Sequence, residues 1–149
     1  MREKLYSYNG FLDEMTKSGV FVFGSNTESR HGKGAAKTAI DKFKATYGQP
    51  FGRQGNSFAI VTKDLTKKTH PSVSRDKIVS QIIYFYLYAM QHSGEKFFVA
   101  YSGLDKNLNG YTNKEMAEMF SVKGLLIPDN VIFEESFAVL VEEVSWVQW

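Results

Sequence analysis

The stretch that most constrains the fold runs from Val20 to Ile40: Val-Phe-Val-Phe-Gly-Ser-Asn, then Thr-Glu-Ser-Arg-His-Gly-Lys-Gly-Ala-Ala-Lys-Thr-Ala-Ile. Val20 to Phe23 form an unbroken apolar run of branched and aromatic residues, which reads as a buried strand of a parallel sheet. Gly24-Ser25-Asn26 ends that run. A loop with Gly32 and Gly34 follows, and then Ala36, Ala39, Ile40, Phe43 and Tyr47 recur at helical spacing. A strand, a glycine loop and a helix start form an anion site in many α/β proteins. Small residues let backbone amides approach the ligand, and the first helical turn has free N–H groups. The spacing matches neither the G-x-x-x-x-G-K-[ST] loop nor a dinucleotide fingerprint, because Lys37 stands where a third glycine belongs. Such loops also serve only to turn the chain, and the stretch alone leaves both readings open.

The remaining pattern repeats this theme. Asn56–Thr62 reads as a second buried strand with Lys63-Asp64 at its C-terminal end, where open α/β sheets bind ligands. Asp64 suits either a ligand contact or the cap of a following turn. The glycine-punctuated segment 51–55 reads as a loop. Ser74 is a candidate N-cap for a long helix reaching about His92, with Ile78, Ile82, Phe85, Tyr86 and Ala89 on one side. Lys96–Tyr101 reads as a third buried strand, ended by Ser102-Gly103. A long loop then leads to Thr112, which forms a capping box with Glu115 for a helix over 113–120. The expected architecture is α/β with a mostly parallel sheet and right-handed crossovers. Phe11, Leu12 and Met15 suggest one amphipathic turn. Segments 124–128 and 131–133 look extended, and 137–144 fits strand or helix equally.

Composition narrows the chemistry. The 149 residues contain no cysteine, which excludes disulfides, thiol nucleophiles and thiolate metal sites. The three histidines, His31, His70 and His92, are scattered without metal-ligand spacing. Asp105-Lys-Asn-Leu-Asn-Gly resembles the start of a calcium loop. However, its twelfth position is Met116, and the preceding segment reads as a strand rather than a helix. No metal and no cofactor are expected. The first residues carry no signal-like apolar run, and Ile82–Met90 is too short to span a bilayer, so a soluble cytoplasmic protein with no membrane partner is expected. Charge is uneven. Residues 30–77 hold 11 Lys+Arg against 3 Asp+Glu, whereas 115–149 hold 1 against 7. The basic part begins at the glycine loop and favours an anionic ligand there.

The glycine loop and the Ser102–Tyr111 loop form a pair. Each follows a buried strand and runs into a helix start, an arrangement able to hold a diphosphate between two sets of amides. Asn26 can hydrogen-bond a ribose hydroxyl, or serve as a turn residue. Tyr111 can lay its ring on a sugar, or pack under the next helix.

These residues resemble macro domains. In that family a strand ends in asparagine before a glycine-rich loop and an alanine-rich helix, as in Val20–Phe43. A second Ser/Thr-Gly loop ends in Gly-aromatic, as in Tyr101–Tyr111. The segments Phe-Gly-Ser-Asn, Arg-His-Gly-Lys-Gly-Ala-Ala and Ser-Phe-Ala-Ile-Val-Thr-Lys-Asp are similar to small macro-like proteins encoded by bacteriophages, over about residues 20–121. The resemblance implies a single three-layer α/β/α domain that binds ADP-ribose or a related nucleotide, in a bacterial or infected host cytoplasm. It also implies possible hydrolysis of an ADP-ribose ester or phosphate. The ligand-contacting set is then Gly24, Ser25 and Asn26 at the first strand end; Gly32, Lys33, Gly34 and Ala35 in the first loop; Thr62; and Ser102, Gly103, Gly110 and Tyr111 in the second. Asn26 would contact the distal ribose, and the candidates for proton transfer are Asp64, Asp105 and His31. The insertion Asp105–Asn109 implies a reshaped distal pocket. Two other readings are a nucleic-acid-binding module using the basic residues 30–77, disfavoured by the lack of a nucleic-acid-reading motif, and a partner-blocking protein built on a ligand-binding scaffold. Oligomeric state is not encoded in any pattern here.

Overall fold

The structure is a computed structural model that describes residues 6–8, 19–27, 34–46, 49–103, 106–122 and 124–148. In chain order its elements are β1 (Ser7–Tyr8), β2 (Val20–Asn26), α1 (Gly34–Phe43), β3 (Gly52–Gln54), β4 (Ser57–Lys63), α2 (Arg75–Gln91), β5 (Phe97–Val99), α3 (Asn113–Phe120), β6 (Val131–Glu134) and α4 (Glu135–Gln148). The six strands form one sheet in the order β1-β6-β5-β2-β4-β3. All neighbours are parallel except β3 and β4.

Strand alternation explains the layers. Val20 and Val22 of β2, Phe58 and Ile60 of β4, and Phe97 and Val99 of β5 point to one face. There they meet the apolar stripes of α2, α3 and α4, including Ile82, Phe85, Met119 and Val141. Phe21, Phe23 and Ala59 point to the opposite face and meet Ala39 and Phe43 of α1. Phe21 stacks on Phe43 with centroids 4.7 Å apart. The result is a three-layer α/β/α arrangement, as the resemblance implies, and its sheet is mostly parallel, as the alternating pattern predicts, with the three expected apolar runs parallel to one another.

The caps read from sequence are present. Ser74 Oγ accepts the Lys77 amide at 3.3 Å, and Thr112 and Glu115 exchange both bonds of a capping box, at 2.9 and 3.1 Å. Asn130 closes the far end of α2. Its Nδ2 donates to the carbonyls of Ala89, His92 and Glu95 at 2.9, 3.1 and 2.9 Å. Removing it leaves helix-end carbonyls without this donor, so Asn130→Ala is expected to cost about 1–3 kcal/mol in urea unfolding.

Several expectations are corrected. Segment 51–55 is not a loop throughout. Gly52–Gln54 pairs antiparallel with β4, turning at Gly55-Asn56 with Gly55 at φ +57°. Three residues are too few for an alternation to register, and side chains stabilise this edge. Arg53 donates to both Glu95 carboxylate oxygens at 2.9 and 2.8 Å. Where β3 has ended, the Gln81 amide takes its place, accepting from Val61 N at 2.7 Å and donating to Val61 O at 2.9 Å. β2 runs on to Asn26, and β5 stops at Val99 instead of reaching Tyr101. α1 ends at Phe43 rather than Tyr47, because Lys44 turns to φ +58° and the Ala45 amide returns to Ala39 O at 3.0 Å. The ambiguous 137–144 segment is helical, started by Glu134, whose carboxylate accepts from Ser136 N and Phe137 N at 2.9 and 3.1 Å. Segment 124–128 is not a strand, and the predicted turn at Phe11, Leu12 and Met15 lies outside the described residues.

The Arg53 guanidinium holds the Glu95 carboxyl below the ordinary glutamate range. A lowered folded value means that stability is present at neutral pH and lost as pH falls through that range. Glu95→Gln should therefore melt below wild type at pH 7 by up to about 1 kcal/mol for a pair this exposed. The gap should close in acid, as thermal melts at stepped pH would show.

Candidate nucleotide crevice

The site begins with how β2 parts from β5. The two are paired from Val20↔Phe97 to Val22↔Val99, and one more bond, Ala100 N to Val22 O at 2.8 Å, closes the ladder. On its other side β2 stays paired with β4 as far as Asn26↔Lys63. Among the described residues the C-terminal half of β2 is thus paired with β4 alone, and its β5 side, left unpaired, forms the candidate crevice. The chain also leaves these strands in opposite directions. β2 leads to α1 on one face, whereas β5 leads to α3 on the other. Ligands of open α/β sheets bind at such switch points, beyond the carboxyl ends of the strands.

Gly24 marks the floor of the crevice. It is exposed, although Phe23 and Ser25 beside it are buried. In this strand the even-numbered residues face β5, as the bonds of Val20 N to Lys96 O and Ala100 N to Val22 O show. By that alternation the Gly24 amide is directed into the opening. A side chain at Gly24 would start 2.9 Å from Thr62 Oγ1, so the residue keeps both the space and the backbone approach free. Thr62 is buried and lies 3.4 Å from Ser25 O. Ser25 is 2% exposed, and its Oγ has no hydrogen-bond partner among the described residues. Asn26 is 6% exposed, at the register shift that ends the β2–β4 ladder.

The loops after β4 and β5 close over this end. Thr27 N donates to Lys63 O at 3.0 Å, and Leu65 N donates to Thr27 Oγ1 at 3.2 Å. The Asp64 carboxylate accepts from Thr66 Oγ1 and Thr66 N at 2.6 and 2.9 Å, which lowers its pKa. It is therefore the cap of a turn, a poor proton acceptor near neutrality. In the second loop Asn107 is the organiser. Its Oδ1 accepts from Ser102 Oγ at 2.9 Å, while its Nδ2 donates to Tyr111 O and Asn113 Oδ1 at 2.9 and 3.0 Å. Ser102 and Gly103 remain exposed, Gly103 at φ +70°. Gly110 is buried at φ +91° against the His70–Pro71 backbone. Tyr111 is 6% exposed and its hydroxyl donates to Val73 O at 2.6 Å. Burial raises its pKa, and its ring belongs to the core under α3.

Of the residues expected at the site, Gly24, Ser25, Asn26, Thr62, Ser102 and Gly103 lie at or just beyond the carboxyl ends of β2, β4 and β5, whereas Gly110 packs on the His70–Pro71 backbone and Tyr111 in the core. Gly34 and Ala35 open α1. His31, Gly32, Lys33 and Asp105 lie outside the described residues. Sequence reading missed the organising role of Asn107, which lies in an Asn-rich run read for its likeness to a calcium loop and as an insertion. Among the described residues no cluster of His, Asp and Glu is able to hold a metal ion, and no helix is long and apolar enough to cross a membrane. The chain matches no protein-family model, and a search of curated proteins returns no match.

Proposed function

We propose that this is a macro-like protein of the cytoplasm that binds ADP-ribose or a related nucleotide in the crevice between β2 and β5. The observation that carries the reading is the parting of these two strands over the exposed Gly24, with Asn26 and the Ser102-Gly103 loop at its rim. Backbone amides from a strand end and a glycine loop suit a diphosphate, since they offer donors without side-chain bulk. The excess of cations over residues 30–77 adds an attractive field. Asn26 both donates and accepts, and so suits a ribose hydroxyl.

Hydrolysis of an ADP-ribose ester or phosphate is the enzymatic form of this proposal, with Asn26 orienting the distal ribose. Two outcomes of Asn26→Ala separate binder from hydrolase. A binder loses about tenfold in affinity, the size of one hydrogen bond. A hydrolase loses about 100-fold in turnover with a smaller change in binding, because misplacing the reacting centre by about 1 Å is that damaging. The measurements are calorimetry with ADP-ribose and product release from ADP-ribose 1″-phosphate and an ADP-ribosylated carboxylate. Wild-type values in both assays for Asn26→Ala would contradict the assignment.

A further inference from the structure

One cluster of proton-carrying groups at the same sheet edge has no part in the description above. His70 Nδ1 lies 2.6 Å from Ser72 Oγ, and that oxygen accepts the Asp64 amide at 2.8 Å. Both side chains are half-buried. The backbone of His70 and Pro71 is the wall that Gly110 meets, at 2.5 Å from where its Cβ would stand. The cluster therefore joins the end of β4 to the second loop. Because β2 lies between β4 and β5, the loops that meet here are those that follow the two strands flanking β2.

The proton count favours one tautomer. A hydroxyl has one proton to give and lone pairs to accept with. The Asp64 amide already occupies one lone pair of Ser72. If Ser72 gives its proton to Nδ1, both groups are matched, and neutral His70 carries its own proton on Nε2. The reverse arrangement leaves the Ser72 proton with no acceptor among the described residues. Nε2 has no partner among them either. The imidazolium form keeps the Nε2–H, so this edge of His70 is a donor in both charge states.

We propose that Ser72 holds His70 in the Nε2–H form, and that this N–H donates to a phosphate oxygen of the nucleotide in the crevice. His70 is then a ligand-binding residue and Ser72 its positioning residue. The inference deepens the nucleotide reading and rests on it. Lys67 and Lys68 on the same loop are exposed and add to the attraction. The Asp64 carboxylate opposes it little, being engaged by Thr66.

The test combines ring ¹⁵N NMR with ADP-ribose calorimetry on four proteins. The NMR of the wild type at pH 8 should show Nδ1 as acceptor and Nε2 protonated, with Nε2 moving on ADP-ribose addition; His70→Gln identifies the resonance by its loss. His70→Ala and His70→Asn should weaken ADP-ribose about tenfold, the size of one hydrogen bond to a charged group. His70→Gln should stay within about threefold, because its amide nitrogen reaches the Nε2 position while that of Asn mimics Nδ1. A residue that only holds the turn would not divide Gln from Asn in binding, and thermal melts of all variants report any loss of fold. Protonation of Nδ1 in the neutral wild-type ring, or unchanged affinity in His70→Ala, overturns the inference while leaving the nucleotide reading intact. No ADP-ribose binding by the wild type overturns both.

Discussion

Gly24→Leu should lower ADP-ribose affinity at least about 100-fold, a loss of about 2.7 kcal/mol or more. The change puts an apolar side chain on the sheet face that carries Val20 and Val22, beside Thr62, at the strand end from which β5 has departed. Its branched end crowds the strand end where the Gly24 amide is left without a β5 partner. The first atom of the new side chain meets Thr62 Oγ1 at 2.9 Å. Since that hydroxyl makes only a long contact of 3.4 Å to Ser25 O, a rotation of Thr62 relieves the overlap. The stability cost should therefore stay near about 1–2 kcal/mol. Calorimetry and thermal melts on the same protein separate the two effects. A folded Gly24→Leu protein that binds ADP-ribose like wild type removes the crevice from the site.

The second large effect concerns the junction of the loops. Gly110→Ala should destabilise the protein by about 3 kcal/mol, lowering the melting temperature by about 10 °C for a chain of this size. Two costs combine. Gly110 has φ +91°, a region that L side chains rarely adopt. Its Cβ would also stand 2.5 Å from His70 C and Pro71 N, and backbone does not rotate away as a threonine does. Gly52 is an internal control. It has φ +94° but nothing within 4 Å of the position its Cβ would take, so Gly52→Ala should cost only the backbone part, about 1 kcal/mol. Equal losses for the two variants would show that steric closure of the loops contributes nothing.

The three central strands were legible because each is an apolar run buried on both faces, a signal that needs no knowledge of partners. Ser74 and Thr112 were legible because a cap depends on residues three apart. What the sequence hid depends on contacts between distant residues. The β3–β4 edge is completed by Glu95, 42 positions from Arg53, and by Gln81, 20 positions from Val61. The start of α4 depends on Glu134, the last residue of a strand, folding its carboxylate over the next turn. Of the two loops paired from their glycines, the first lies outside the described residues and the second is described in part. There Tyr111, read as either a sugar platform or a packing residue, is held inside by Val73 O, which no local pattern announces. Asp64 shows the opposite case, since its turn-capping alternative rests on the hydroxyl and amide of Thr66, two residues away.

The most direct measurement is a titration of the ¹⁵N-labelled protein with ADP-ribose, read by calorimetry and by amide chemical shifts together. The account predicts saturable one-to-one binding, with the largest shifts at Gly24, Asn26, Ser102 and Gly103, and none of comparable size at the opposite edge around Arg53 and Glu95. Absence of binding, or shifts centred away from the parting of β2 and β5, would contradict it.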